Sequence, residues 1–401
     1  MKSEWKVYSV QELIDLDMLE EPMDGNHGGI HPKSSDYVSS GVPFIMANNL
    51  SNGKVDYDNC AFISEQQATT LRKGFAHPGD VLLTHKATIG RTAIVGDEYD
   101  TIILTPQVTY YRVKHGISNR YLKYYFDSSE FQQTLSNWAG SGSTRAYLGI
   151  TAQRKLPIVL PPMETQEKIA GLCGALDEKI YLNNAINNNL FGQAKALFKN
   201  WFVDFEPFST DNTMPETWRM GTVGEIIELH DSKRIPLSGS ERDKMEKIYP
   251  YYGATSLMDY VDNYLFDGIY LLLGEDGTVV DDKGFPILQY IDGKFWVNNH
   301  AHILTGKLGY SVEELYLLFS LTNIKSIVTG AVQQKVSQAN LKKVPAIIPP
   351  VEVLNQFDDI IQPIFAEIRN LKNENQRLSS IRDSILPKLM SGELDVSDIG
   401  L

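Results

Sequence analysis

Two stretches of this chain repeat one apolar pattern. In the first, Ile169, Leu176, Ile180, Leu190, Leu197 and Trp201 recur at helical spacing among polar residues. In the second, Phe357, Ile364, Ile368, Leu378, Ile385 and Leu389 preserve every interval, each 188 residues further on. Such stripes predict helices over roughly 164–202 and 352–390, each about 55–60 Å long at about 1.5 Å per residue. Proline fixes φ and lacks a backbone N–H, so Pro161-Pro162 and Pro349-Pro350 mark the two helix starts. Helices this long need a partner along their length, and a seam alternating between three and four residues asks for another helix. Each copy supplies the other's. Asn187 and Asn375 interrupt the seams at equivalent positions, where a lone polar residue fixes register at some cost in stability; the alternative is exposure on a slightly rotated face.

The repeat extends beyond the helices. Trp5-Lys6-Val7, followed by Val10 and Glu12-Leu13, recurs at an offset of 213 as Trp218-Arg219-Met220, followed by Val223 and Glu225-Ile226. Between Trp and Pro-Pro the first copy spends 156 residues and the second 131, so the ends match and the middles differ. Those middles carry short β-branched or aromatic runs at 79–84, 101–104 and 268–273 separated by Gly, Asn and Asp, and short helices at 118–135 and 311–328. The expected fold is α+β, with two mixed β-rich modules separated by two long antiparallel helices, a coiled-coil spacer, around an internal pseudo-two-fold. The boundaries fall at 1–160 for the first module, 161–203 for the first helix, 204–214 for a linker, 215–348 for the second module, and 349–401 for the second helix and tail.

Length and composition fit this division. With 401 residues, 42% of them apolar, the chain is long enough for two or three domains with proper cores. No charged-then-apolar N-terminal segment resembles a signal peptide, and no run of about 18 apolar residues suits a membrane span. Cys60 and Cys173 are too few and too far apart for a disulfide framework or a zinc site, so a cytoplasmic location away from any membrane is expected. A formal net charge of -13 argues against bulk attraction to nucleic acid; any such role needs local basic patches or a basic partner.

Taken together, the Trp-led start, the Pro-Pro boundary with Gln166 shortly after, the long helix with Leu-Asp-x-Lys-Ile at 176–180, and the duplication of the whole arrangement resemble the DNA-specificity subunits of type I restriction-modification systems. The likeness covers essentially the whole chain, although Leu354 stands where Gln166 would repeat and Thr165 where the family often has Glu. The resemblance implies two target recognition domains that each read half of a bipartite double-stranded DNA target. It also implies two antiparallel helices that dock two methyltransferase subunits and, through them, restriction subunits. The helices then act as a ruler, because B-DNA converts distance and rotation into a set number of unread base pairs.

Base readout needs donors and acceptors on loops or element ends, plus cations for phosphate. In the first module the candidates are Asn48 and Asn49 after a strand-like run, Lys86, Thr88 and Arg91 in the loop after Leu83, and Ser143, Thr144 and Arg145 in a Gly-Ser stretch that lacks the Lys-Ser/Thr ending of a P-loop. In the second they are Lys233 and Arg234, then Tyr251, Tyr252, Thr255 and Ser256, placed near Asn48-Asn49 by aligning Pro43 with Pro250, and finally Gln333, Gln334 and Lys335 at the place of Arg145. Against these stand plain alternatives: a Gly-Ser connector, and tyrosines packed in the core. Two His in Asn298-Asn299-His300-Ala301-His302 lack an evident third ligand, so no metal is expected and they read as packed or DNA-facing histidines, and Glu275-Asp276 reads as a turn. No methyltransferase-like Asn-Pro-Pro-aromatic or nuclease-like motif occurs. The expectation is a non-catalytic DNA reader without a cofactor of its own, the methyl donor and ATP belonging to partner subunits. The rivals are the reader of a fused restriction-methylation protein and a coiled-coil scaffold that never binds DNA.

Overall fold

The computed structural model describes residues 5–140, 146–330 and 333–397. It forms two compact units, one of residues 1–181 with 375–401 and the other of 182–374. Both long helices, Met163–Phe202 and Val351–Met390, are continuous over 40 residues and give one half to each unit. Within each unit the halves run antiparallel. Ile169, Ala170 and Cys173 pack with Leu386, Leu389 and Met390 in the first, and Ala194, Phe198 and Phe202 pack with Leu354, Phe357 and Ile361 in the second. Among the described residues no helix is long and apolar enough to cross a membrane.

The helix bounds agree with the apolar stripe to within one residue, but the buried face is turned slightly from it. Ile169, Phe357, Ile368 and Leu389 are buried, whereas Leu176, Ile180, Leu190, Leu197, Trp201, Ile364, Leu378 and Ile385 are half-buried. The deepest positions include Cys173, Asn183, Ala194, Phe198, Phe202, Ile361 and Phe365. Each helix half packs against its partner helix and also against its own module, so the inner face is wider than a two-helix seam. Asn187 lies inside, 9% exposed, and Asn375 is half-buried. Pro363 and Pro387 sit within the second helix without ending it; Pro363 is exposed, where solvent can serve the carbonyl it leaves unpaired.

In both units a six-stranded sheet forms the heart of the module. Its order in the first unit is Met23–Asp24, Val108–Tyr111, Val81–Lys86, Thr88–Ile94, Gly53–Val55, Leu50–Ser51. The second unit has Ile227–Leu229, Ala301–Gly306, Phe266–Gly274, Leu288–Val297, Tyr249–Tyr252, Leu257–Val261. In each, only the fourth and fifth strands pair parallel. A two-stranded ribbon closes each module, Lys6 opposite Leu160 and Arg219 opposite Ile348. The first unit adds a five-stranded sheet containing Val42–Ile45, which accounts for its longer middle. Pro43 therefore lies in that extra sheet and Pro250 in the six-stranded one, so aligning them does not bring Asn48-Asn49 and Tyr251-Tyr252 to equivalent places.

Local capping sets the remaining ends. The helix expected over 118–135 is two, Asn119–Asp127 and Ser129–Trp138, because Ser128 ends the first in an extended conformation while its hydroxyl caps the second. The helix expected over 311–328 stops at Leu321. After the first long helix, Val203 N–H donates to Lys199 O and Glu206 N–H to Asn200 O; after the second, Ser391 N–H donates to Pro387 O and Leu394 N–H to Lys388 O, each 188 residues on. The stretch read as a linker is thus the counterpart of the C-terminal tail. Phe205 and Phe208 pack on Trp218, and in the other unit Gly392 lies against Trp5.

Candidate nucleic-acid interface

Both modules finish the third strand of their six-stranded sheet in the same way. In the first, His85 N–H donates to Gln107 O, Leu148 N–H donates back to His85 O, and Ala87 N–H donates to Ala146 O. In the second, Glu275 N–H donates to His300 O, Val336 N–H to Glu275 O, and Gly277 N–H to Gln334 O. The segment after each variable stretch thereby docks beside the strand end, with bridges Lys86–Tyr147 and Asp276–Lys335. Lys335 and Val336 lie 188 residues after Tyr147 and Leu148. One backbone frame carries different side chains.

In the first module, Lys86 ends a strand rather than standing in a loop after Leu83, and the hairpin turns at Ala87 with φ 64°. Lys86, Thr88 and Arg91 are exposed there. Lys86 Nζ lies 5.9 Å from the centre of the exposed Tyr147 ring, and Arg91 N–H is anchored on Thr84 Oγ1 at 2.9 Å. Beneath them Asp24 is buried, bonded to His27 Nε2 at 2.7 Å and to Lys73. Burial pushes Asp24 upward, but Lys73 and His27 outweigh it and hold the carboxyl below its ordinary value. His85 is fully buried with Nδ1 on Leu148 O at 2.9 Å, and burial lowers its proton affinity. Asn48 is exposed. Asn49 is not available to a base, because its side chain is 2% exposed and bonded to Met46 N and Asn59 O. Ser143, Thr144 and Arg145 lie outside the described residues.

The second module places an ionic network at the same strand end. Arg234 Nη1 donates to Glu275 Oε2 at 2.7 Å and to Ala301 O at 2.8 Å, and Lys335 Nζ lies 3.4 Å from Glu275 Oε1. Arg234 is consumed in this network, whereas Lys233 is exposed. Asp231 accepts from His302 Nδ1 and Gln338 Nε2, each at 2.6 Å, and from Ile303 N–H at 2.9 Å. Burial raises Asp231, but the bond and charge of His302, with Arg234, hold it below the usual carboxylate range. Ligand atoms of Asp231, Glu275 and His302 lie within 4.8 Å of one another. A metal would have to displace positive charge already in place, since Arg234 lies against both Asp231 and Glu275 and Lys335 lies 3.4 Å from Glu275 Oε1.

The tyrosines divide. Tyr251 is a core residue, 1% exposed with its hydroxyl on Leu237 N–H at 3.0 Å, so it cannot reach a groove. Tyr252 is half-buried edge-on to Phe295. Thr255 and Ser256 are exposed in the hairpin turn of this sheet, and Gln333, Gln334 and Lys335 are exposed on the docked segment. Sequence reading did not single out His27, Lys73 or Tyr147 in one module; in the other it read Asp276 as a turn residue and did not pair it with His300. The signal for Tyr147 was present, because it lies one repeat length before Lys335.

Comparison with known proteins agrees with this duplicated design. A model of the "Type I restriction modification DNA specificity domain" matches residues 2–190 and again 215–380. The chain belongs to the type I restriction-modification DNA-specificity family. As a specificity subunit it is a non-catalytic member of such a system. It is 26% identical to the MjaIX specificity subunit of Methanocaldococcus jannaschii over 93% of this chain and 91% of that one. It is 23% identical to the HindI specificity subunit of Haemophilus influenzae over 88% and 94%. The crystal structure of a type I S subunit from M. genitalium shares the fold with a TM-score of 0.54 at 14% identity, covering 96% of each chain.

Proposed function

We propose that this specificity subunit reads a bipartite double-stranded DNA target, one half with each module, and docks two methyltransferase subunits, and restriction subunits through them. The observation that carries the reading is the shared strand-end frame with its divergent exposed side chains: a common scaffold presenting different donors and acceptors suits two different half-sites. The modules are 1–160 and 215–348, joined by 204–214. The helix segments 161–203 and 349–401 set the spacing and carry the docking surface. The chain needs no cofactor, the methyl donor and ATP being bound by its partners in the cytoplasm. With a net charge of -13, it relies on those partners for much of the positive charge that holds the DNA backbone.

The test is a methylated-base map of a host expressing the chain with its methyltransferase subunits. A split motif that disappears with this chain supports the reading, and exchanging residues 5–155 for the module of a relative should change one half only. An unchanged map on removing the chain would leave a scaffold that never reads DNA. Turnover by the purified chain alone, given methyl donor, ATP and DNA, would make it an enzyme.

A further inference from the structure

The shared frame carries opposite charge at one position. Lys86 and Asp276 each follow the residue that bonds to both neighbouring segments, and each bridges to a residue at the same place in the repeat, Tyr147 or Lys335. Asp276 is partly exposed and accepts from His300 Nδ1 through Oδ1 at 2.5 Å, while the His300 side chain is 45% exposed. Oδ2 of Asp276 takes no hydrogen bond from any described residue. Behind this rim Glu275 is already neutralised by Arg234 and Lys335, so the internal network does not require Asp276.

A carboxylate is repelled by phosphate and gains nothing from the DNA backbone. Its favourable partners on a duplex are donors, and in the major groove those are the exocyclic amino groups, cytosine N4 and adenine N6. We propose that Asp276 is a base-reading residue of the second module that accepts a hydrogen bond from an exocyclic amino group in the major groove, its carboxylate held in place by His300. This rests on the DNA-reading function proposed above. Lys86 offers only donors at the corresponding place, suited to guanine O6 and N7 or to phosphate. The two modules therefore address DNA with opposite polarity from one position of a common fold.

The experiment compares methylated-base maps of the full chain with its methyltransferase subunits, for the unaltered chain and for Asp276→Asn, Asp276→Lys and His300→Gln. Asp276→Lys is expected to lower discrimination for the amino-bearing base at one pair of one half-site by about tenfold or more and to shift preference there toward guanine or thymine. Asparagine matches adenine N6 and N7, so Asp276→Asn retains that pair if the base is adenine and relaxes it if the base is cytosine. His300→Gln relaxes the same pair, and the other half-site stays unchanged throughout. Maps identical to the unaltered chain's for Asp276→Lys and His300→Gln would overturn the assignment while leaving DNA reading intact. Equal loss of methylation at both halves with a lowered melting temperature would make Asp276 a support of the fold and overturn it too. No split motif for the unaltered chain would defeat the DNA-reading function itself.

Discussion

Arg382 Nη1 donates to Asp177 Oδ1 at 2.6 Å, tying the second long helix to the first within one unit. Asp177 also accepts from Tyr124 Oη at 2.8 Å and lies 3.3 Å from Lys123 Nζ, which is itself 2.9 Å from Asp127. One repeat length away stand Phe365 in the place of Asp177 and Ala194 in the place of Arg382, both fully buried. There Phe365 meets Phe191, Tyr290 and Tyr316. At that position the junction between helix and module is ionic in one copy and aromatic in the other, where the ionic link lies four residues on, Arg369 to Glu313 at 3.0 Å.

Asp177→Ala is expected to destabilise the first unit by about 2 kcal/mol, because Lys123 and Arg382 lose a charge-assisted partner while keeping Asp127 and Asp383. Burial raises the Asp177 carboxyl, but Lys123 and Arg382 hold it below its usual 3.8. Its contribution is therefore present above about pH 4 and fades as acid protonates it. Melting temperature against pH checks both; a variant that melts with the unaltered chain at pH 7 would remove the ionic junction from the stability account.

Glu314 should make the second unit sensitive to alkali. Burial pushes its carboxyl up to about 8 from 4.5, although Ser311 N–H donates to it at 2.8 Å. Between those values the unfolded chain releases a proton that the folded chain keeps, so stability falls as pH rises through that window. Glu314→Gln is expected to match the unaltered chain near pH 4 and to exceed it by on the order of 3 kcal/mol above pH 8. Urea unfolding at the two pH values measures the difference.

Lys233 and Arg234 are neighbours with opposite prospects. Arg234→Ala breaks the bonds to Glu275 and Ala301 and should cost about 3 kcal/mol of stability while loosening the docked segment. Lys233→Ala, at an exposed site, should leave melting unchanged and lower the salt dependence of DNA binding by the assembled complex by about one unit of slope. Equal melting of the two variants would show that Arg234 does not hold that strand end.

Asn187 is buried with an Oδ1 that finds no hydrogen bond among the described residues. Asn187→Leu should raise stability by about 1 kcal/mol, at the expense of register between the helices. A fall in melting temperature would reveal a bonded partner for that oxygen.

The long helices were legible because a stripe sustained over 40 residues has few other physical solutions. Their inner face was read correctly at Ile169, Phe357, Ile368 and Leu389 and too narrowly elsewhere, since the pattern reports apolar spacing and not that each helix packs on two sides. The sheets were legible as strands but not as topology. Pairing Val42–Ile45 into a separate sheet depends on contacts with Ile102–Leu104, far away in sequence, and no local signal shows this. At the candidate interface, residue type identified Lys86, Thr88 and Arg91 as exposed polar groups. It failed for Asn49, Arg234 and Tyr251, whose polar atoms are used internally.

The tail after the second helix folds as the linker after the first does, and it reaches back to Trp5 just as the linker reaches Trp218. The organisation is therefore cyclic, and where the polypeptide is cut is incidental to it. A chain opened between residues 209 and 214, with 397 joined to 5 through a short flexible bridge, should fold to the same two units.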